Sequence, residues 1–335
     1  MIGKELSVET VNHPEARTFD GEPFPPALAC RSPRATLVEV CRWVVRERDE
    51  LIQRSSAHGA LLFRGFPLGS AADFDAFVAA FGFESFSYDE SLSNAVRVNL
   101  TERVFTANEA PPSATIRLHH EMAQTPVCPS RLFFFCHRPA DRGGATSLCR
   151  SDLLFRRLSE RAPDFAVDCE RRGLRYTNVL PDEDDPDSAL GRSWRSTLGV
   201  ATRERAETKL RSLGYTWEWR DDGCLCATSP TLPAVHRDES GRKAFFNQLI
   251  ATRGWRDVRN DPATAVTFGD GTPVHAADIE LAESLAEEMA VDVVWQAGDV
   301  ALVDNFVVMH GRRSFSGERS VYASLVRAPA WAAAD

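Results

Sequence analysis

Residues 117–122 read Arg-Leu-His-His-Glu-Met, with two histidines and a carboxylate side by side. Whether this stretch is helix or strand decides the fold. On a helix, successive side chains point about 100° apart, and no two of the three converge on one atom. On a strand, residues i and i+2 share a face, so His119 and Glu121 point together while His120 points behind. As a strand, the segment offers His119 and Glu121 as a pair of metal ligands and requires a β core around them.

The remainder of the chain fits such a core. Leu37, Cys41, Val44, Val45, Leu51 and Ile52 form an apolar stripe that predicts a helix over 35–54. The glycine-bounded run GALLFRGF at 59–66 predicts a buried strand. Phe74, Phe77, Val78 and Phe81 keep helical spacing over 71–81, with Gly82 placed to end that helix. From about residue 95 the pattern changes to short strands, expected at 95–99, 115–122, 131–137, 145–149, 245–251, 299–304, 306–310 and 319–327. Helices are expected to interrupt them at 151–162 and 200–213, with a last one at 277–290. The acidic stretch PDEDDPD at 181–187 reads as a solvated loop, or alternatively as a lid over a site. The pattern predicts an α+β chain of one domain, a β core with helices packed outside it.

Composition narrows the partners. With 335 residues, 43% hydrophobic and 26% charged, the chain can bury a large core. A net charge of −9 argues against nucleic acid or an anionic membrane, which require a basic surface. No apolar run approaches the roughly 18 residues of a membrane span, and the first residues lack the apolar core of a signal peptide. The eight cysteines form no C-x-x-C pair and read as reduced, mostly buried small hydrophobes. A cytoplasmic location is the expectation.

A lone His-x-Glu carries little weight. A third element lies far downstream, where residues 298–310 read GDVALVDNFVVMH: a Gly-Asp, a short apolar strand, an Asp-Asn turn and a second strand ending at His310. A histidine closing an apolar strand needs a polar partner or a metal. His119, Glu121 and His310 would together occupy one face of an octahedron and leave three positions open, which suits non-haem Fe(II) with a co-substrate and O2. The helical H-E-x-x-H spacing of zinc enzymes is absent. Beyond His310, Ser316-Gly317 marks a turn and Arg319 opens a further strand, expected to lie antiparallel to the one bearing His310. From there its guanidinium could grip a carboxylate through two parallel bonds. The alternative for Arg319 is a surface ion pair of little consequence.

These segments resemble the taurine dioxygenase/clavaminate synthase superfamily of Fe(II)/2-oxoglutarate oxygenases. The most similar branch is that of the syringomycin-type hydroxylases, which modify amino acids in natural-product pathways. The resemblance runs through GALLFRGFP (59–67), TANEAPPSATIRLHHEM (106–122), PSRLFFFCHRPADRGGATSLCRS (129–151), FFNQ (245–248) and WQAGDVALVDNFVVMHGRRSFSGERSVYASL (295–325). It implies a double-stranded β-helix (jelly-roll, cupin-like) core with flanking and inserted helices. One domain over 1–335 would place the first half of that core at 59–150, a helical and loop insertion at 151–240, and the second half at 241–330.

For the site, the resemblance implies Fe(II) on His119, Glu121 and His310. Arg319 would hold the far carboxylate of 2-oxoglutarate, with Thr146 touching the same group. Thr106 and Asn108 lie in a segment that commonly lines the pocket. Two departures follow from the same comparison. Sulfonate users carry a second arginine four positions after the first, where this chain has Ala323, so a taurine-like substrate is not expected, and Arg327 lies too far along to replace it. Chlorinating relatives lack the metal carboxylate, which Glu121 supplies here, so oxidation is expected rather than halogenation.

The implied activity is hydroxylation of an unactivated C–H bond of an amino acid or its derivative, free or tethered to a carrier protein, with release of succinate and CO2. Desaturation, epoxidation or ring formation would start from the same chemistry. A barrel-shaped binding module without catalysis is a third alternative, against which the intact triad and arginine argue. Trp217, Trp219 and Asn247 either line the pocket or support it.

Overall fold

In the strand Arg131–Arg138 alternate side chains go to opposite sides: Leu132, Phe134 and Cys136 to one, Phe133 and Phe135 to the other. The computed structural model describes residues 6–90, 92, 97–107, 110–185, 188, 191–254, 259–260 and 264–327. It sets this strand inside an eight-stranded sheet ordered Val8–Val11, Ala27–Cys30, Ala60–Arg64, Val300–Asp304, Arg131–Arg138, Ser320–Arg327 and Glu84–Ser85, with Phe105–Thr106 also pairing on Ser320–Arg327. The ladders are antiparallel except between Ala27–Cys30 and Ala60–Arg64. The first two strands, VETV and ALAC, carry no two-residue alternation of apolar and polar side chains.

One face of this sheet lies under the helices Leu37–His58 and Ala71–Ala79. Val40, Trp43 and Val44 from the first and Phe74, Phe77 and Val78 from the second meet Phe63, Phe133, Phe135 and Leu302. The long helix opens with a capping box between Thr36 and Glu39 and closes at Gly59, φ +88. A Cβ at Gly59 would fall 2.5 Å from Val308 Cγ2, so glycine is needed there twice over. The helix outruns the expected 35–54 because its last turns are polar and carry no periodic signal.

The other face meets a four-stranded antiparallel sheet ordered Val291–Val293, Thr146–Arg150, Val308–Arg312 and Ile116–His119. Leu132, Phe134, Cys136, Val321, Ala323 and Leu325 from the large sheet pack against Leu148, Val291, Val293 and Val308 from the small one. On its outer face Leu118, Cys149 and Met309 go under the helices Ser151–Arg161 and Ala276–Met289. Their chain neighbours His119, Leu148 and His310 therefore face the space between the sheets.

Residues 151–240, expected as helices and loops, also contribute strands. Thr216–Trp219, Leu225–Thr228, Leu174–Leu180 and Val266–Phe268 form a separate antiparallel sheet. Trp217 and Trp219 belong to it, beneath Arg211 and Arg203, and neither lines the site. The described part of the acidic stretch is tied down locally: Asp182 accepts from Trp194 Nε1 and pairs with Arg195, and Asp185 pairs with Arg259. The expected strand at 245–251 is instead a turn into the short helix Leu249–Thr252. Asn247 shapes that turn, accepting from Leu249 N and donating to Ala234 O. A short apolar run does not separate a buried strand from a buried helix. The strand expected at 95–99 lies partly outside the described residues; within them Asn99 makes a single bridge to Phe105. All eight cysteines are free thiols, and no described helix is long and apolar enough to cross a membrane.

Candidate active site

His119 and His310 are direct cross-strand partners on neighbouring antiparallel strands, and their ring centroids are 4.3 Å apart. The register shifts just beyond, at Gly311, where a Cβ would sit 2.6 Å from Ile116 O. Glycine lets the two strands close on each other beside the histidines.

The strand expected to carry both His119 and Glu121 stops at His119. Glu121 lies in the following turn, with Met122 at φ +58. Asn305, in the turn between Val300–Asp304 and Val308–Arg312, holds it there. Its Oδ1 accepts from Glu121 N at 2.8 Å, and its Nδ2 donates to Glu121 O at 2.9 Å and Pro129 O at 2.8 Å. His120 is fully buried behind the site, its ring nitrogens against the carbonyls of Asn305 and Phe245.

One ligand atom each from His119, Glu121 and His310 lies within 4.8 Å of the others. Glu121 Oε2 is 3.5 Å from His310 Nε2, while Oε1 accepts from the Tyr88 hydroxyl at 3.2 Å. His119 Nδ1 stands 2.8 Å from Arg117 O. A carbonyl can only accept, so Nδ1 carries the proton and Nε2 keeps a lone pair. His310 Nδ1 is buried without a hydrogen-bond partner among the described residues. Burial, aided by His310, lowers the His119 pKa to about 4, so this ring is neutral at pH 7. Burial would push the Glu121 carboxyl up, but the hydrogen bond and charge of His310, with Arg97 and His119, hold it down at about 2. Two imidazoles and an ionised carboxylate, one ring nitrogen of them orphaned, form a donor set that fits a divalent iron ion.

A cavity opens from these groups, walled by Phe134, Val321, Ala323 and Leu325 of the large sheet and reaching Thr146 and Arg319. Arg319 Nε donates to Gly144 O at 2.9 Å, and Thr146 Oγ1 accepts from Trp295 Nε1 at 3.0 Å. Burial, with Arg312 nearby, lowers the Arg319 pKa to about 10, which still leaves it cationic at neutral pH. Arg312 donates to the carbonyls of Ala110, Pro111 and Ala114 at 2.7–2.9 Å.

The strand that follows Arg319, Ser320–Arg327, is not a ladder partner of the His310 strand. It pairs with Arg131–Arg138 in the facing sheet. Phe315–Ser316 pairs with Arg142–Gly143, and Gly317 at φ +82 carries the chain across. Arg319 thus reaches the cavity from the opposite wall. Asn108 lies outside the described residues. Asn247 supports the turn behind the site, as described. Tyr88, Arg97, Trp295 and Asn305 also shape the site; only the Asp-Asn turn at 304–305 left a mark in the sequence.

The arrangement of facing sheets is shared with known oxygenases. A putative alpha-ketoglutarate-dependent taurine dioxygenase from Burkholderia xenovorans superposes with a TM-score of 0.55 at 16% identity, over 96% of this chain and 93% of its own. PvcB of Pseudomonas aeruginosa, an Fe, alpha-ketoglutarate-dependent oxygenase from an isonitrile synthetic pathway, gives 0.51 at 14% identity, over 98% and 94%. In sequence, the chain is 40% identical over 325 residues to a clavaminate synthase-like protein of Arabidopsis thaliana, covering 96% of this chain and 98% of that protein. It is 29% identical over 293 residues to the dapdiamide synthesis protein DdaC of Enterobacter agglomerans, covering 83% and 84%. Residues 20–328 match the taurine catabolism dioxygenase TauD, TfdA family, and the chain belongs to that family. It is a dioxygenase of the Fe(II)/2-oxoglutarate class.

Proposed function

We propose that the protein hydroxylates an unactivated C–H bond of an amino acid or amino-acid-derived substrate, with Fe(II) held by His119, Glu121 and His310. Arg319 and Thr146 would take the far carboxylate of 2-oxoglutarate. The observation that carries this reading is the meeting of three ligand atoms within 4.8 Å at one cavity that also reaches Arg319. Bound there, iron with 2-oxoglutarate and O2 supplies an oxidant able to take hydrogen from an unactivated carbon, with release of succinate and CO2. His119 presents Nε2 because Nδ1–H is spent on Arg117 O. The Tyr88 hydroxyl occupies Glu121 Oε1 and leaves Oε2 toward His310. Phe134, Val321, Ala323 and Leu325 exclude water from the reacting carbon. Ala323, where a sulfonate user would have its second arginine, argues against a sulfonate.

Similarity to a dapdiamide synthesis protein supports a biosynthetic role and is compatible with the syringomycin-type branch. The opposed sheets fit a jelly-roll core within one domain, and the free thiols suit a reducing, cytoplasmic setting. Metal-free protein is expected to take up one Fe(II) per chain and, with 2-oxoglutarate and no oxygen, to develop a visible charge-transfer band. His119→Ala should lose the metal and His120→Ala should keep it. A panel of L-amino acids is then screened for stimulated succinate formation in air. Absence of the band at saturating concentrations sinks the cofactor assignment, and no response from the free amino acids or from their carrier-bound thioesters sinks the substrate class.

A further inference from the structure

Thr146 opens the strand Thr146–Arg150, with Val293 and Arg312 as its ladder partners on the two sides, so its backbone is fixed. Its side chain is buried and lines the cavity. What the hydroxyl can do there is decided by a residue behind it. Trp295, buried in the same apolar cluster as Val291, Val293 and Val321, brings Nε1 to 3.0 Å from Thr146 Oγ1. An indole N–H can only donate, so Oγ1 is the acceptor and the hydroxyl keeps its own proton to give away. The adjoining turn aims the neighbouring cation: Gly144 O accepts from Arg319 Nε at 2.9 Å. Gly144 has φ +71, and a Cβ there would fall 3.0 Å from Arg319 Cδ. Trp295 is not among the residues that line the cavity, so what it does for a ligand it does through Thr146.

Resting on the function proposed above, we infer that Trp295 is a positioning residue for 2-oxoglutarate. By filling the acceptor side of Thr146 it commits the Thr146 O–H to donate to the far carboxylate. That end of the cavity then presents donors, a guanidinium and a hydroxyl, to the two carboxylate oxygens. With phenylalanine at 295 the hydroxyl stays in place but loses the partner that sets its polarity, and a buried lone pair goes unsatisfied.

The test follows the charge-transfer band of anaerobic Fe(II)-loaded protein as 2-oxoglutarate is added. Trp295→Phe is expected to raise the 2-oxoglutarate Kd roughly three- to ten-fold, the range of one neutral hydrogen bond, with Fe(II) affinity within about twofold. A benzothienylalanine at position 295 keeps the fused-ring shape and puts sulfur in place of the N–H; it should weaken binding to the same extent. In Thr146→Val, where affinity has already fallen, adding Trp295→Phe should change it by less than about twofold, because the two residues act as one unit. Binding of 2-oxobutyrate, which has no far carboxylate, should be indifferent to Trp295→Phe. Undiminished 2-oxoglutarate affinity with the benzothienyl side chain overturns the inference, as does a full further loss in the Thr146→Val background or an equal loss for 2-oxobutyrate. Each of these leaves the cofactor assignment standing, since the band still forms. A wild-type protein that develops no band overturns both.

Discussion

At Arg319 a side chain that sequence alone allowed to be a surface ion pair is placed in the cavity by its bond to Gly144 O. If it grips 2-oxoglutarate, Arg319→Ala removes a charge-assisted contact on the order of 2–5 kcal/mol and raises the co-substrate requirement roughly thirty-fold or more. Arg319→Lys should recover only part, and Fe(II) uptake should survive in both, read as succinate formed against 2-oxoglutarate concentration. The two adjacent histidines make a prediction about pH. Burial lowers His119 to about 4 and, despite two facing carbonyls, His120 to about 3, against 6.5 for a free imidazole. Below pH 6.5 the unfolded chain therefore binds protons that the folded one refuses. Stability of the metal-free protein should fall as pH drops from 6.5 toward 4, by on the order of 1–2 kcal/mol per histidine at pH 5. Glu121 is also shifted downward, but from a carboxylate value, so its contribution is complete above about 4.5 and is lost only as pH falls toward about 2, outside this window. Urea midpoints at pH 8, 6.5 and 5 report the slope; a flat series contradicts the buried neutral rings.

At the scale of elements, the turn between Val300–Asp304 and Val308–Arg312 does what strand alternation was expected to do. Alternation put His119 inward and His120 outward, and both are found so, but the strand ends before Glu121. Asn305 bridges the two turns and satisfies both polar groups of the Glu121 backbone together with Pro129 O. Asn305→Ala leaves these groups buried without partners, at about 1–3 kcal/mol each. We expect a loss of at least about 3 kcal/mol of stability and a metal affinity lowered roughly 10–100-fold, as for other residues that orient ligands. Asn305→Asp, which keeps the acceptor and loses the donors, should fall between. Thermal unfolding without metal and Fe(II) titration measure the two effects separately; tight iron binding in Asn305→Ala would mean that Glu121 is aimed by something else. Most helices and core strands were legible as elements because each carries its own period. The run at 245–251 was not, since its turn is made by the Asn247 side chain rather than by any repeat.

Across the whole molecule, local period and residue chemistry determined that a β core exists, that His119 and His310 sit on its strands with Glu121 close by, and that Arg319 follows as a cation at the head of a strand. Those are properties of neighbouring residues, set by 2.0 and 3.6 periodicity and by what buried polar groups require. The resemblance to known oxygenases supplied the cofactors. Only the tertiary structure decided that His119 and His310 stand opposite each other, since register depends on the whole set of apolar residues each sheet must bury. It likewise decided that Ser320–Arg327 joins the large sheet rather than the His310 strand, because an alternating strand reads the same whichever sheet receives it. The wall of Tyr88 and Arg97 came from the same source. Neither residue is marked by a repeat in the sequence; Tyr88 is held beside the metal ligands by its ring contact with Phe105 and its bond to Glu121, and Arg97 lies over the Tyr88 ring.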